Sequence, residues 1–565
     1  MSFIGSTLNR LGLYRPVRKT LQYLAEPARF ANDWEIRQDL RQTRRDISTW
    51  AAEGGERADP NRLFVILSYT NLPLHAKFHA LAAKTMQLHG YTPVVFTYTG
   101  CRFGHEYLRL FGIERLLMWN EYEQAYGQGT TELAAILAPL LPAKPTIPDI
   151  LACSFHGVEV GKHALSVTSR KLIQGRLDIT DPQTAQMVNY NLQRAVRAVL
   201  LAEKFLDEHP VEKMLVRDSG YIPNGSIYET ALQRGVDCVV YEQGQQRHTW
   251  LLKRYTPETK SEHYFSLAPA TWTAIQQETW TAKDDRQVET TFHQRYEPDS
   301  TDDRRRLQTG KKIKSPAAVR EELQLDPARK TAVIFSHIAW DAAFFFGSCL
   351  FDDFEQWLFE TVKYVAAECP HMNWLVKLHP FNVFKLQRED RAEESEMRLL
   401  RTLMPLPDHV KIVRAHTDIN TWSLFPIADY VLTVNGTVGL EFPCYGVPVV
   451  VAGTGRYNGR GFTIEPQSRE AYCTTLKTLH EVPRLGEATQ QLARRHFLAL
   501  ITRRQFSLAD VAPMELKAMD RATSDMHDNI QITARSLAEF AAAPSITQLG
   551  DWLADSDTPD LLQPR

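Results

Sequence analysis

Two α/β domains, each doubly wound around a mainly parallel sheet and facing the other across a cleft, are the fold this sequence predicts. Three observations carry the prediction. Short apolar runs recur of the kind buried on both faces of a parallel sheet, helical patterns separate them, and a densely charged stretch near the middle divides two such series.

The 565 residues suit two or three domains. Lys+Arg 65 against Asp+Glu 67 leaves a formal charge of -2, which excludes a globally basic nucleic-acid binder and a polyacidic chain alike. With 44% hydrophobic residues, 28 Gly and 30 Pro, the chain is neither disordered as a whole nor fibrous. Seven scattered cysteines without a C-x-x-C pair suggest neither a disulfide framework nor a zinc site, so a reducing cytoplasm is the expected home. No apolar run is long enough for a membrane span, and the N-terminus lacks the apolar core of a secretory signal.

Residues 1–55 read as a basic helical arm. Its first 25 residues carry Arg10, Arg15, Arg18 and Lys19 and no acid, among Phe3, Ile4, Leu8 and Leu11. Two readings stand: a peripheral anchor on the anionic inner membrane, or an arm that packs on the body. The first α/β domain is placed at 56–281. It opens with RLFVILS at 62–68, a helical pattern from Leu74 to His89 closed by Gly90, and the strand TPVVFTY at 92–98. A mostly helical insertion spans about 120–210, with a long periodic stretch from Pro182 to His209. Alternation resumes with KMLVR at 213–217, a helix from Gly225 to Arg234, and VDCVVYE at 236–242. Residues 282–315, dense in mixed charge and poor in aliphatics, read as an exposed connector, or else as a solvated helix face. The second domain, 316–510, shows TAVIFSH, NWLVKLH, HVKIVR, DYVLTV and PVVVAG in turn. A C-terminal segment and tail, 511–565, looks helical to about 545 and returns toward the first domain.

Open α/β sheets bind ligands at the carboxyl ends of their strands, so the chemistry is sought there. NWLVKLHPF stops at His379-Pro380, which sets an imidazole in the loop with Lys377 two residues back on the strand. After DYVLTV, Asn435, Gly436, Thr437 and Gly439 form a small-residue turn into a helix whose amides and dipole suit a phosphate. Glu441, early in that helix, is placed to accept hydrogen bonds from ribose hydroxyls, or is simply a favourable charge at a helix start. Arg456 and Arg460 stand on the glycine-rich GTGRYNGRG loop, where they reach an anion or face solvent. In the first domain, Asp218 follows a strand in VRDSGYIPNG and Glu242 ends the next; either suits a general base facing the cleft. Asp341, in FSHIAWDAAFF, is a helix cap or a cleft contact. No metal-ligand spacing occurs among the 18 histidines, and Asp352-Asp353 reads as a helix start.

The strand-end His379-Pro380, followed by the small-residue turn, Glu441 and Gly446-Val447-Pro448, resembles the nucleotide-sugar half of GT-B glycosyltransferases. More narrowly it resembles bacterial capsule polysaccharide biosynthesis and export proteins, which include Kdo transferases. FSHIAWDAAFF at 335–345 and GTGRYNGRGFT at 453–463 share in the resemblance, which is good over about 330–465 and architectural before it. It implies a GT-B-like, Rossmann-like pair of domains in which His379 and Gly436-Thr437 hold the donor phosphate and Glu441 the nucleotide. Many relatives carry two adjacent hydroxyl residues where this chain has Asn435-Gly436-Thr437. It further implies a glycosyltransferase that needs neither metal nor bound cofactor and moves sugar from a CMP- or UDP-sugar donor to a glycan or lipid-linked glycan acceptor. A nucleotide-sugar epimerase or hydrolase on the same scaffold, or a non-catalytic capsule-assembly protein, is the alternative.

Overall fold

The computed structural model describes residues 27–55, 58–298, 300, 307–341, 344–382, 393–515 and 529–564. The basic segment 1–25 and residues 301–306 of the charged stretch lie outside the described residues.

The first sheet contains β1 (Asp59–Leu67), β2 (Tyr91–Thr97), β3 (Leu116–Met118), β4 (Val211–Val216), β5 (Asp237–Gln243) and β6 (Thr249–Tyr255), in the spatial order β6-β5-β4-β1-β2-β3. All its neighbours are parallel except β6, which returns antiparallel on β5. The second sheet contains β7 (Thr331–Phe335), β8 (Asn373–Lys377), β9 (Val410–Val413), β10 (Tyr430–Thr433) and β11 (Val449–Val451), in the order β11-β10-β7-β8-β9, parallel throughout. In each sheet the first strand stands centrally, with the next two on one side and the last ones on the other. That is the doubly wound order, and its topological switch points fall between β1 and β4 and between β7 and β10. Every residue of β7, β8, β10 and β11 is buried, which is why these strands read as continuous apolar runs rather than alternating ones.

The helices Val160–Leu172 and Pro182–Glu208 pack on each other beside the first sheet, through Leu165, Val188, Leu192 and Val196. Asp181 caps the longer helix by accepting the Thr184 amide at 2.8 Å. Helix Pro27–Ile47 is no detached arm: Ile36 and Leu40 pack against Ala76 and Tyr107 of the first domain.

Two expectations are corrected. Residues 282–296 of the supposed connector form one helix, Ala282–Tyr296, whose Val288, Phe292 and Tyr296 are buried at four-residue spacing in the core of the second domain. Phe292 stacks on Phe497 with ring centroids 4.2 Å apart. Three apolar residues on one stripe suffice, at about 1.5–3 kcal/mol for each large side chain buried, and the charged remainder hides them in a composition count. The second correction concerns the C-terminus. After the helix Glu487–Leu498 the chain returns before residue 510, and β12 (Phe506–Ser507) pairs antiparallel with β6 as the first sheet's seventh strand. Beyond it, described helix is confined to Leu537–Ala542 and Pro544–Asp555, and Met514–Glu515 pairs with Asn529–Ile530 as a short ribbon. Among the described residues no helix is long and apolar enough to cross a membrane.

Candidate active site

Two cavities meet at the carboxyl ends of the strands, and His337, His379 and Arg456 line both. The smaller, about 150 Å³, sits at the switch point of the second sheet; its lining includes Lys377, Pro380, Gly436, Thr437 and Glu441. The larger, about 340 Å³, lies between the domains.

The two imidazoles have complementary roles. His379 Nδ1 accepts the Phe381 amide at 3.2 Å, so the ring proton is assigned to Nε2. His337 follows β7, and its Nε2 accepts the Val434 amide at 3.2 Å and lies 3.0 Å from Thr433 Oγ1, which assigns its proton to Nδ1. Burial, reinforced by the charge of Arg456, pushes the His337 pKa down to about 3, so this ring is a neutral donor at physiological pH. Ser336 fixes the second loop by accepting the His379 amide at 3.0 Å. Arg456 brings the charge. Its Nε is buried without a hydrogen-bond partner, and burial lowers the pKa of the guanidinium.

Several expected roles change. The small-residue turn leads into one helical turn, Val438–Glu441, which tightens at once into the 3-10 turn Phe442–Tyr445. A dipole summed over so few peptides is weak. The Gly436 amide donates to Thr433 Oγ1 at 3.1 Å, and Thr437 Oγ1 accepts Arg295 Nη2 at 3.2 Å. Gly439 makes room rather than contact with a ligand. A Cβ there would stand 1.9 Å from the hydroxyl of Tyr457, which donates to the Gly436 carbonyl at 2.7 Å. Glu441 is 1% exposed and already engaged: Arg295 Nη2 lies 2.6 Å from Oε1, and the Tyr296 hydroxyl donates to Oε2. Its position on the cavity wall nevertheless fits a further hydrogen bond, because each carboxylate oxygen has two lone pairs. Lys377 is 1% exposed and donates to the Leu378 carbonyl at 3.0 Å; burial, with Lys311 adding repulsion, holds its pKa well below the ordinary lysine range.

The larger cavity is walled on the first-domain side by Arg170, Arg217, Asp218, Tyr221 and Glu242, and opposite them by Asp341, Phe345 and Phe346. Both expected carboxylates therefore reach the cleft. Asp218 directly follows β4 at φ 56°, a left-handed conformation that a non-glycine residue adopts at some cost. Tyr221 N closes the turn on the Asp218 carbonyl at 3.1 Å. Glu242 is tied to Arg217 at 3.2 Å. Asp341 accepts the Tyr221 hydroxyl at 3.2 Å across the domain boundary, so its cleft role prevails over a cap. Arg460 lines neither cavity and donates to the Leu267 carbonyl at 2.6 Å.

Among the described residues, one group has metal-ligand spacing, His89 with Asp551 and Asp555, and it lies outside both cavities. Asp353 caps the helix Phe354–Glu368 by accepting the Gln356 amide at 2.7 Å.

Sequence reasoning assigned no role to His337, Arg170, Arg217, Arg295 or Tyr296. His337 had a readable signal, since TAVIFSH ends in histidine as NWLVKLH does. Arg295 and Tyr296 had none, being set in the charged stretch whose helical register was missed.

Three solved structures illustrate distant likenesses that cover 60% to 77% of the chain. The Thermosulfurimonas dismutans KpsC β-Kdo 2,4-transferase is 13% identical, with 60% of this chain and 88% of that one covered at a TM-score of 0.32. The UDP-GlcNAc 2-epimerase of Neisseria meningitidis, bound to UDP-GlcNAc, is 10% identical over 76% of this chain and 94% of its own, TM-score 0.25. Anabaena Alr3699/HepE in complex with UDP-glucose is 13% identical over 77% and 92%, also at 0.25. No curated protein sequence matches the chain. The fold assignment accordingly rests on the strand orders above. The family model for capsule polysaccharide biosynthesis protein matches residues 290–485, a span that contains every residue lining the smaller cavity.

Proposed function

We propose that the protein is a glycosyltransferase that draws on a nucleotide-activated sugar, a CMP- or UDP-sugar, to build a capsule or other surface polysaccharide. The observation that carries the reading is Arg456, whose buried, unpartnered Nε stands at the junction of the two cavities. Arg456 is half-buried and has no ion-pair partner among the described residues, Glu441 attracting it only from a distance, so an anion arriving there gains favourable energy. The nucleotide belongs in the smaller cavity, its phosphate between Arg456, His379 and Lys377, and Glu441 accepts from the ribose. The sugar and the acceptor hydroxyl belong in the larger one. Asp218 or Glu242 takes the acceptor proton, the freed oxygen bonds to the anomeric carbon, and the bond from that carbon to the phosphate oxygen breaks. The departing electron pair goes to the nucleotide phosphate, where Arg456 and the two imidazole N–H groups stabilise it without a divalent ion.

A thermal-shift series with CMP, UDP and GDP, with and without Mg²⁺, tests this. A ligand at about a hundred times its Kd stabilises by roughly 2.7 kcal/mol. One nucleotide should raise the melting temperature, His379→Ala should largely remove that shift, and Asp218→Ala should keep it while transfer is lost. No shift with any nucleotide overturns the reading. Release of free sugar or an epimer from donor alone would favour the hydrolase or epimerase alternative.

A further inference from the structure

A third cavity, about 370 Å³, lies away from the strand ends, between the helix Ala282–Tyr296, the helix Glu487–Leu498 and the C-terminal tail. The charged groups in its wall are committed to one another or to the backbone. Arg503 Nη1 lies 2.7 Å from Glu278, Arg495 Nη1 donates to the Ile275 and Glu278 carbonyls at 2.8 and 2.7 Å, and Asp284 accepts the Thr281 amide at 2.7 Å. The amides are different. Gln246, Gln287, Gln294 and Gln563 come from three separate parts of the chain, and none of their side chains has a hydrogen-bond partner among the described residues. Trp280, partly buried, and Thr290 complete the lining that concerns us.

A side-chain amide offers both an acceptor and two donors, which matches adjacent hydroxyl groups; the Trp280 ring, with the Arg495 guanidinium 5.2 Å from its centroid, adds apolar surface to the wall for C–H groups. A π-helical turn, Ala499–Arg503, supplies part of the wall, and such turns concentrate at functional sites. We infer that this cavity is a binding site for a neutral polyhydroxylated chain, that is, an oligosaccharide. The site adjoins the donor cavity through shared elements: Gln294 precedes Arg295 on one helix, Gln246 follows Gln245 in one loop, and Arg295 Nη1 donates to Gln245 Oε1 at 2.9 Å. A glycan held here is gripped at a distance from its reacting end. That role rests on the transfer reading; the ligand chemistry does not.

Saturation-transfer NMR on the full chain tests the site with chitopentaose, cellopentaose, maltopentaose and mannopentaose, and with an oligosialic acid as the acidic comparison. At least one neutral oligosaccharide should bind at millimolar concentration or better. The double variant Gln287→Ala/Gln294→Ala, and separately Gln563→Ala, should weaken it, the double by about tenfold. His379→Ala, which probes the donor cavity, should leave it unchanged. Failure of every neutral probe, binding of the acidic probe alone, or a neutral signal lost with His379→Ala and kept in the glutamine variants overturns the inference. Nucleotide thermal shifts are read separately, so each proposal can fail by itself.

Discussion

Arg295 and Glu441 offer the sharpest test of how the smaller cavity is built. The guanidinium lies 2.6 Å from the carboxylate, both side chains are nearly sealed from solvent at 8% and 2% exposure, and the Tyr296 hydroxyl closes the other oxygen. Arg295→Met would leave a buried carboxylate with a single donor. Removing one member of such a pair typically costs about 3–5 kcal/mol, and the cavity beside Glu441 admits water, which favours the low end. At roughly 3 °C per kcal/mol for domains of 150–250 residues, a loss of about 3 kcal/mol lowers the melting temperature by about 9 °C.

The double variant Arg295→Met/Glu441→Gln removes the stranded charge while a Gln carbonyl still accepts from Tyr296. It should recover most of the loss, because replacing both members of a buried pair costs much less than breaking it. Differential scanning calorimetry of wild type, both single variants and the double variant closes the cycle. A single Arg295→Met within a degree of wild type, or a double variant no more stable than that single, would refute the pairing as a structural element. Glu441 would then be free to serve the ligand alone.

Anion binding should draw a proton from solution. Lys377 is held well below the ordinary lysine range by burial and by Lys311, and a phosphate raises its pKa again, so calorimetric binding enthalpies of the nucleotide in Tris and HEPES buffers, which differ in ionisation enthalpy, should differ. Lys377→Met should abolish the difference; equal wild-type enthalpies in both buffers would contradict the assignment. Glu229 governs acid stability. Burial alone would raise its pKa, but the His163 ring at 3.0 Å and Lys260 at 2.6 Å outweigh it and hold it at about 2, so its contribution is complete above pH about 4.5 and is lost as pH falls toward 2. Glu229→Gln should lower stability to urea at pH 7 by about 3 kcal/mol and much less near pH 2; an equal loss at both would count against it. Gly439→Ala should destabilise by about 1–3 kcal/mol, because its methyl collides with the Tyr457 hydroxyl, and Tyr457→Phe should relieve part of that in a melting experiment.

The strands were readable because burial on both faces writes an uninterrupted apolar run, and RLFVILS or NWLVKLH admits few other interpretations. Strand ends are readable for the same reason, which is how His379, Asp218 and Glu242 could be placed at the cleft before any coordinates. Pairings were not readable. Nothing local in QVETTFHQRYE announces that Arg295 and Tyr296 will bracket a glutamate 146 and 145 residues away, since the ion pair exists only after the helix packs on the second domain. That helix gives way to a 3-10 turn after Glu441 was legible in the sequence and was overlooked. Pro443 is the local cause, lacking the amide that an α-helical bond would need.

That early tightening bears on how an anion would be held under the proposed function. A long helix would offer a dipole and a row of free amides, whereas here the helical turn is four residues long and the Gly436 amide is spent on Thr433; Thr437 Oγ1 accepts from Arg295, which leaves its hydroxyl proton to donate. The favourable charge must come instead from side chains, and Arg456 is the cation placed where both cavities meet. His337 complements it by staying neutral: with its pKa at about 3 it donates a hydrogen bond without adding a second buried charge to be neutralised when the site is empty. On the proposed transfer reading, Arg456 and the two imidazole N–H groups would gain charge complementarity as negative charge gathers on a departing phosphate, and a chain with a net charge of -2 needs no basic surface to supply it.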